Sequence, residues 1–264
     1  MKYSYEELAG MLDHSLLHPT LNDQELEEGC RLAARYRTAS VCVKPYAVKR
    51  AAQLLQGSGV IVGCVIGFPH GNSATEVKRY ETQLACEDGA REIDMVINLG
   101  KAMSGDWAGA EADVKAVCDE AHKRGAKVKV IFSNDYLDKG GAGLKGDEFK
   151  RRLCQLCERA GADWVKTSTG YDFVKQADGN FNCKGATEHD LELMRASVSP
   201  KVQVKAAGGV RTLDALIRVR DLGASRCGTS STAALLDEYR RREAAEKAGK
   251  TTAEAAATLG AGGY

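Results

Sequence analysis

The sequence predicts a single-domain TIM (β/α)8 barrel, on three observations: a Gly-Ala pair repeated ahead of apolar runs, a total of eight such runs, and helical periodicity between them. Gly89-Ala90, Gly125-Ala126, Gly161-Ala162 and Gly223-Ala224 stand 36, 36 and 62 residues apart, the last interval holding two shorter units. Glycine after a helix supplies the left-handed cap, so each pair reads as helix end, tight loop and strand start. A length of 264 residues suits one barrel. A doubly wound open sheet is the competing fold. It would carry fewer strands and a glycine-rich turn after the first one, where this chain has His18-Pro19-Thr20.

The strands expected in order are Leu12 to Leu17, Ser40 to Lys44, Ile61 to Phe68, Glu92 to Asn98, Lys127 to Phe132, Trp164 to Ser168, Val202 to Ala206 and Arg226 to Thr229. Between them, apolar periodicity marks helices at Asn22 to Tyr36, Ala47 to Gln56, Ala74 to Asp88, Ala108 to Arg124, Phe149 to Ala160, Thr187 to Ser197, Thr212 to Leu222 and Ser231 to Lys247. Asn22 precedes Glu25 and Thr187 precedes Asp190 by three, the spacing of a capping box. The barrel is expected over residues 1–250, with a flexible C-terminal tail over 251–264.

Charge and composition narrow the function classes. With 37 Lys+Arg against 36 Asp+Glu, no net field draws the protein to nucleic acid or an acidic membrane, so an anion site has to be local. The N-terminus lacks an apolar signal core and no stretch is long enough to span a bilayer, which predicts a cytoplasmic protein. Nine cysteines, an odd number scattered through apolar patterns, read as reduced packing residues. The isolated Cys154 and Cys157 pair has no histidine or second pair at ligand spacing, so no metal site is expected.

In a barrel, chemistry belongs at the C-terminal ends of strands. Strand six, Trp164-Val165-Lys166-Thr167-Ser168-Thr169-Gly170, places a lysine where a strand buried on both faces favours Val or Ile. Strand seven repeats the anomaly at Lys205, whose alternation with Val202 and Val204 turns it inward. Two ammonium groups on neighbouring strands repel, and burial disfavours charge further, so at least one amine should titrate low and become a nucleophile able to form a Schiff base. Alternatively each lysine is only ion-paired. On strand four, Asp94 faces inward opposite Ile93 and Met95, where it can pair with a lysine or, through water, relay protons. Lys129 on strand five either completes this network or merely neutralises Asp94. Gly208-Gly209 and Gly228-Thr229-Ser230-Ser231 follow strands seven and eight, where a barrel usually binds phosphate on backbone N–H groups and a helix N-terminus, and Gly170 can add another amide.

These residues resemble the deoxyribose-phosphate aldolase family. The segments that carry the resemblance are Asp13-His14-Ser15-Leu16-Leu17, Ser40-Val41-Cys42-Val43, Val65-Ile66-Gly67-Phe68-Pro69-His70-Gly71, Glu92-Ile93-Asp94-Met95-Val96, Val165-Lys166-Thr167-Ser168-Thr169-Gly170, Val204-Lys205-Ala206-Ala207-Gly208-Gly209-Val210-Arg211-Thr212 and Gly228-Thr229-Ser230-Ser231. The resemblance implies that Lys166 forms the Schiff base, Lys205 lowers its pKa and Asp94 moves protons. Spacing alone does not choose between the lysines. It implies a phosphate resting on Thr169, Gly170, Gly208, Gly209, Gly228, Ser230 and Ser231, and a pocket including Asp13, Ser15, Cys42 and Lys129. It further implies reversible cleavage of 2-deoxy-D-ribose 5-phosphate to acetaldehyde and D-glyceraldehyde 3-phosphate with no cofactor, and small-molecule partners beside a homo-oligomer such as a dimer.

Two departures stand out. Ser133 occupies a position where many relatives carry Glu, so a polar contact made there is expected to be lost, and Tyr171 to Cys183 makes a long loop that reads as a lid or a surface excursion. Lys44 is a further strand-end lysine with no role assigned. The glycine-rich end closes on Tyr264, which either hangs free or reaches the mouth to assist proton transfer at an enamine carbon, since a dozen flexible residues span about 20 Å. The rival readings are a Schiff-base aldolase or transaldolase for another phosphosugar, and a non-covalent phosphosugar isomerase or binding protein.

Overall fold

A computed structural model describes residues 1–175 and 178–249. Eight parallel strands close into a barrel: β1 (Leu12–Leu16), β2 (Ser40–Val43), β3 (Ile61–Ile66), β4 (Glu92–Val96), β5 (Lys127–Ile131), β6 (Trp164–Lys166), β7 (Gln203–Ala207) and β8 (Ala224–Thr229). They pair in chain order, and β8 closes onto β1 with Asp13 opposite Gly228. The open sheet is thereby excluded. All eight expected strands are present, most ending one or two residues early because the chain turns into its loop at the barrel mouth.

Helices α1 (Tyr5–Ala9), α2 (Asp23–Tyr36), α3 (Val48–Leu54), α4 (Thr75–Glu87), α5 (Leu99–Met103), α6 (Trp107–Lys123), α7 (Gly146–Ala160), α8 (Glu188–Ser197), α9 (Leu213–Asp221) and α10 (Thr232–Lys247) surround the barrel. The Asn22–Glu25 capping box forms on both sides, whereas at Thr187 the hydroxyl caps Asp190 N–H and the Asp190 carboxylate instead takes Lys150. Glycines 89, 125, 161 and 223 all have positive φ, as the Gly-Ala junctions require. The periodicity had not shown α1 or α5, each only five residues long.

The sequence builds two interiors. Residues pointing outward from the strands, such as Val41, Ile93, Met95, Val128, Val130, Val165, Val204 and Cys227, join the helix faces in the main apolar core. Each such side chain contributes roughly 1.5–3 kcal/mol by leaving water. The inward residues are different: among the described residues Leu17, Cys42 and Val65, with Phe68 and Tyr171 packed against them, form a small apolar cluster near the mouth, and below it buried charged side chains meet. The loop after β6 folds back as a short antiparallel hairpin, Val174–Lys175 with Phe181–Asn182, on which the exposed rings of Phe173 and Phe181 stack 4.4 Å apart. The tail 251–264, with Tyr264, lies outside the described residues.

Candidate active site

Strand register assembles the barrel interior. Lys166 and Lys205 are direct neighbours on β6 and β7, and Asp94 and Lys129 are neighbours on β4 and β5. All four are essentially inaccessible to solvent. One oxygen of Asp94 accepts from Lys166 Nζ and from Lys205 Nζ, both at 2.7 Å, and its other oxygen accepts from Lys129 Nζ at 3.0 Å. Lys205 also pairs with Asp13 at 2.5 Å. Lys129 pairs with Asp13 at 3.1 Å and with Glu92 at 2.5 Å. Arg226 closes the ring, reaching Asp13 at 2.6 Å and Glu92 at 2.7 Å, while Ser40 donates to Asp13 at 2.7 Å. Trp164, two residues before Lys166 on the same strand, lies beneath, its ring centre 5.4 Å from the Arg226 guanidinium and 5.8 Å from Lys129 Nζ.

The network counts four bases, Lys129, Lys166, Lys205 and Arg226, against three carboxylates, Asp13, Glu92 and Asp94. A sealed cluster favours neutrality, so one base has to give up its proton most readily. Lys166 is that base. Burial is the largest influence lowering its pKa, and the Lys205 charge lowers it further against the pull of Asp94. Lys205 is buried as deeply, yet Asp13 and Asp94 together hold it well above the ordinary lysine value. Burial likewise works against ionised Asp94, but Lys129, Lys166 and Lys205 outweigh it and keep the carboxylate well below its usual range. Beside a fixed ammonium and a fixed carboxylate, Lys166 is the amine that gives up its proton most readily.

Above the network the mouth has two unlike sides. On the β1 to β3 side, Leu17, Val65, Phe68 and Tyr171 line a cavity of about 300 Å³, with Phe68 and Tyr171 edge to face at 5.5 Å. Lys44 belongs to this wall as a brace: its ammonium donates to the carbonyl of His18 at 2.7 Å and to those of Pro19 and Leu21, fixing the loop after β1. On the β6 to β8 side, Gly170, Gly208 and Gly209 adopt positive φ, and the free first-turn amides of α10 follow Ser231.

The DeoC/LacD family aldolase model matches residues 8–232. This chain belongs to that family. The chain is 46% identical over 240 residues to a deoxyribose-phosphate aldolase of Rhodopirellula baltica, covering 91% of this chain and 92% of that one. It is 42% identical over 232 residues to a deoxyribose-phosphate aldolase of Clostridium perfringens, covering 88% and 95%. Among solved structures, the tetrameric deoxyribose phosphate aldolase of Aeropyrum pernix superposes with a TM-score of 0.78 at 30% identity, covering 90% and 92%.

Within this DeoC/LacD chain, Asp94, Lys129, Lys166, Lys205 and Asp13 form one hydrogen-bonded cluster, and Cys42 faces it from β2 with its thiol pushed up to about 11, by burial first and Asp94 second. Ser15 and Ser168 bring buried hydroxyls to the interior with no hydrogen-bond partner within the protein. The Thr169 hydroxyl donates to Asp172 at 2.9 Å and accepts from Tyr171 N–H at 3.0 Å. Ser133 places its hydroxyl beside the Asp172 carboxyl of the neighbouring loop. Glu92 and Arg226 were overlooked in the sequence. The signal was available, since Glu92 lies two residues before Asp94 and Arg226 is another charged residue within a barrel strand.

Proposed function

We propose that this chain reversibly cleaves 2-deoxy-D-ribose 5-phosphate to acetaldehyde and D-glyceraldehyde 3-phosphate through an imine on Lys166. The observation that carries the reading is the four-to-three charge balance of the buried network, which leaves Lys166 the base with the weakest hold on its proton. Neutral Lys166 attacks C1 of the open-chain aldehyde, and loss of water gives the imine. Removal of the C3 hydroxyl proton breaks the C2–C3 bond, releases glyceraldehyde 3-phosphate and leaves the enamine of acetaldehyde. Protonation at C2 and hydrolysis free acetaldehyde and restore the amine. Asp94, within hydrogen-bond reach of the amine, hands these protons through water, while Lys205 stays charged and helps keep the pKa of Lys166 low.

The phosphate rests on the amides of Gly170, Gly208, Gly209, Gly228 and Ser230 and on the Ser231 hydroxyl at the start of α10, the Ser231 N–H being given to Thr229 Oγ1, and there N–H groups and the helix dipole favour an anion. The two-carbon end faces Leu17, Cys42 and Val65. No metal or cofactor enters this chemistry, and the nine reduced, buried cysteines suit a cytoplasmic setting. The chain works as a homo-oligomer, a dimer in the simplest case; the exposed stripe Val77, Tyr80 and Leu84 along α4 is its candidate contact.

The deciding experiment is borohydride reduction in the presence of acetaldehyde or deoxyribose 5-phosphate, followed by intact mass and peptide mapping. One adduct on Lys166 is expected. An adduct on Lys205 alone overturns the assignment, and no adduct favours a non-covalent isomerase or binding protein. Turnover of a different phosphosugar with the adduct still on Lys166 would indicate another aldolase specificity.

A further inference from the structure

The C-terminal end of β5 is tied to the loop after β6 at both of that loop's stems. After Ser133, whose φ is 54°, the chain makes a 3-10 turn over Asn134–Tyr136. At the outgoing stem, Tyr136 Oη accepts from Phe173 N–H at 2.5 Å, and the Ser133 hydroxyl lies beside the Asp172 carboxyl. Asp172 in turn holds Thr169, and Thr169 holds the Tyr171 amide, so Gly170 is fixed between two braced residues. At the returning stem, Asp135 accepts from Lys184 N–H at 2.7 Å and from Gly185 N–H at 3.1 Å, one carboxylate oxygen to each.

Gly185 matters because of what it touches. A Cβ there would stand 2.6 Å from the Gly208 carbonyl carbon, and a Cβ on Gly208 would stand 2.9 Å from Gly185 Cα. The two backbones are therefore in direct contact, and Ala186 N–H donates to the Gly208 carbonyl at 3.1 Å. A displacement of Gly185 pushes Gly208, one of the amides assigned above to the phosphate. Asp135 is linked to Gly208 through a single residue.

We propose that Asp135 and Asp172 are positioning residues for the phosphate subsite, setting Gly208 and Gly170 respectively and so fixing affinity for the phosphate without touching it. Asp135 is the stronger arm, since it makes two charge-assisted bonds to backbone N–H groups. This rests on the aldolase reading above. A purely structural role in anchoring the loop would instead affect all substrates alike.

The test is steady-state kinetics of Asp135→Ala and Asp135→Asn on deoxyribose 5-phosphate and on unphosphorylated 2-deoxyribose, with inorganic phosphate as competing ligand. For Asp135→Ala, KM for the phosphorylated substrate and the inhibition constant of inorganic phosphate should each rise about ten-fold, with kcat within about two-fold and unphosphorylated deoxyribose unaffected, the size expected for losing a charge-assisted hydrogen bond. Asp135→Asn should recover part of the loss. Equal losses on both substrates, or an unchanged phosphate constant, overturn the proposal. Should Asp135→Ala fail to fold, Gly185→Ala presses on Gly208 with the carboxylate intact and has to raise the same two constants. If the unaltered protein does not cleave deoxyribose 5-phosphate, the aldolase reading falls, while the change in inorganic phosphate binding, followed by calorimetry, still decides the clamp.

Discussion

Lys78, between α4 and α6, and Lys166, inside the barrel, are both buried and both bonded to an aspartate at short range, 2.6 Å to Asp113 and 2.7 Å to Asp94. Burial lowers the pKa of each. What separates them is how the counter-charge is shared. Asp113 serves one ammonium, assisted by the Thr75 hydroxyl, and Lys78 gives another proton to the Val96 carbonyl at 2.9 Å. Asp94 is divided among three ammonium groups. Lys78 is also roofed over, since a Cβ on Gly67 would stand 2.9 Å from its Cε, whereas Lys166 lies two residues before Ser168 on the way to the mouth. A buried lysine is therefore no sign of chemistry by itself. A lysine whose counter-charge is already spoken for, below an open mouth, is one.

The largest effect that could break this contrast is at Lys166. Lys166→Arg keeps a cation against Asp94 but cannot form an imine, so turnover should fall on the order of 10⁴-fold or more, with folding retained. Circular dichroism beside a turnover assay checks both halves. Near-normal turnover would remove Lys166 from the covalent role.

Lys78 should behave in the opposite way. Lys78→Met strands the Asp113 carboxylate in the core and should cost about 3–5 kcal/mol of stability, while any folded fraction keeps its specific activity. Urea unfolding measures the first, and active-site titration by borohydride trapping normalises the second. Loss of catalysis without loss of stability would place Lys78 in the chemistry after all.

Lys205→Leu sharpens the sharing argument itself. Removing the neighbouring charge leaves Asp94 more fully to Lys166, and both changes favour protonated Lys166, so its pKa should rise and the acidic limb of the kcat/KM profile should move to higher pH. At neutral pH kcat/KM should fall about ten-fold or more, with partial recovery as pH is raised. A pH profile that loses height without moving would contradict the pKa role.

The two lysines were legible in the sequence because a strand buried on both faces has little room for them, and the alternation of strand seven gave the direction of Lys205 as that of strand four gave the direction of Asp94. The same logic applied to Glu92 and Arg226, but with Asp94 already available as counter-charge nothing local demanded them; their need appears only when the ring is closed in space. The barrel's helices were legible because each is long enough to show an apolar stripe, which the five-residue α1 and α5 are not. Asp135 and Asp172 were not legible at all. Their partners are backbone N–H groups of a distant loop stem for Asp135 and the hydroxyl of Thr169 in its own loop for Asp172, and such bonds leave no periodicity and no charge pattern in the chain.

The smallest effect concerns a titrating group outside the catalytic cluster. His14 lies on β1 beside Asp13 in sequence but points outward, with Nδ1 3.0 Å from the Thr232 hydroxyl in the first turn of α10. Burial lowers its pKa to about 4, and protonation would add positive charge at a helix N-terminus. Because the folded value lies below the unfolded value of about 6.5, the stability contributed by neutral His14 is complete above pH 6.5 and is lost as pH falls toward 4, to a limit of about 3 kcal/mol. His14→Asn, which offers an acceptor near the place of Nδ1, should flatten that slope. Glu81, Asp135 and Asp172, whose carboxyls burial pushes up, contribute to the pH dependence with the opposite sign, so the quantity to compare is the difference between the two proteins' unfolding curves at each pH. A difference that grows from pH 7 to pH 4 is expected, with Lys166 trapping at pH 7 equal in both. Parallel curves would mean that His14 is already protonated in the folded protein or solvated well enough to titrate normally, and would leave the barrel's titration behaviour to the interior network alone.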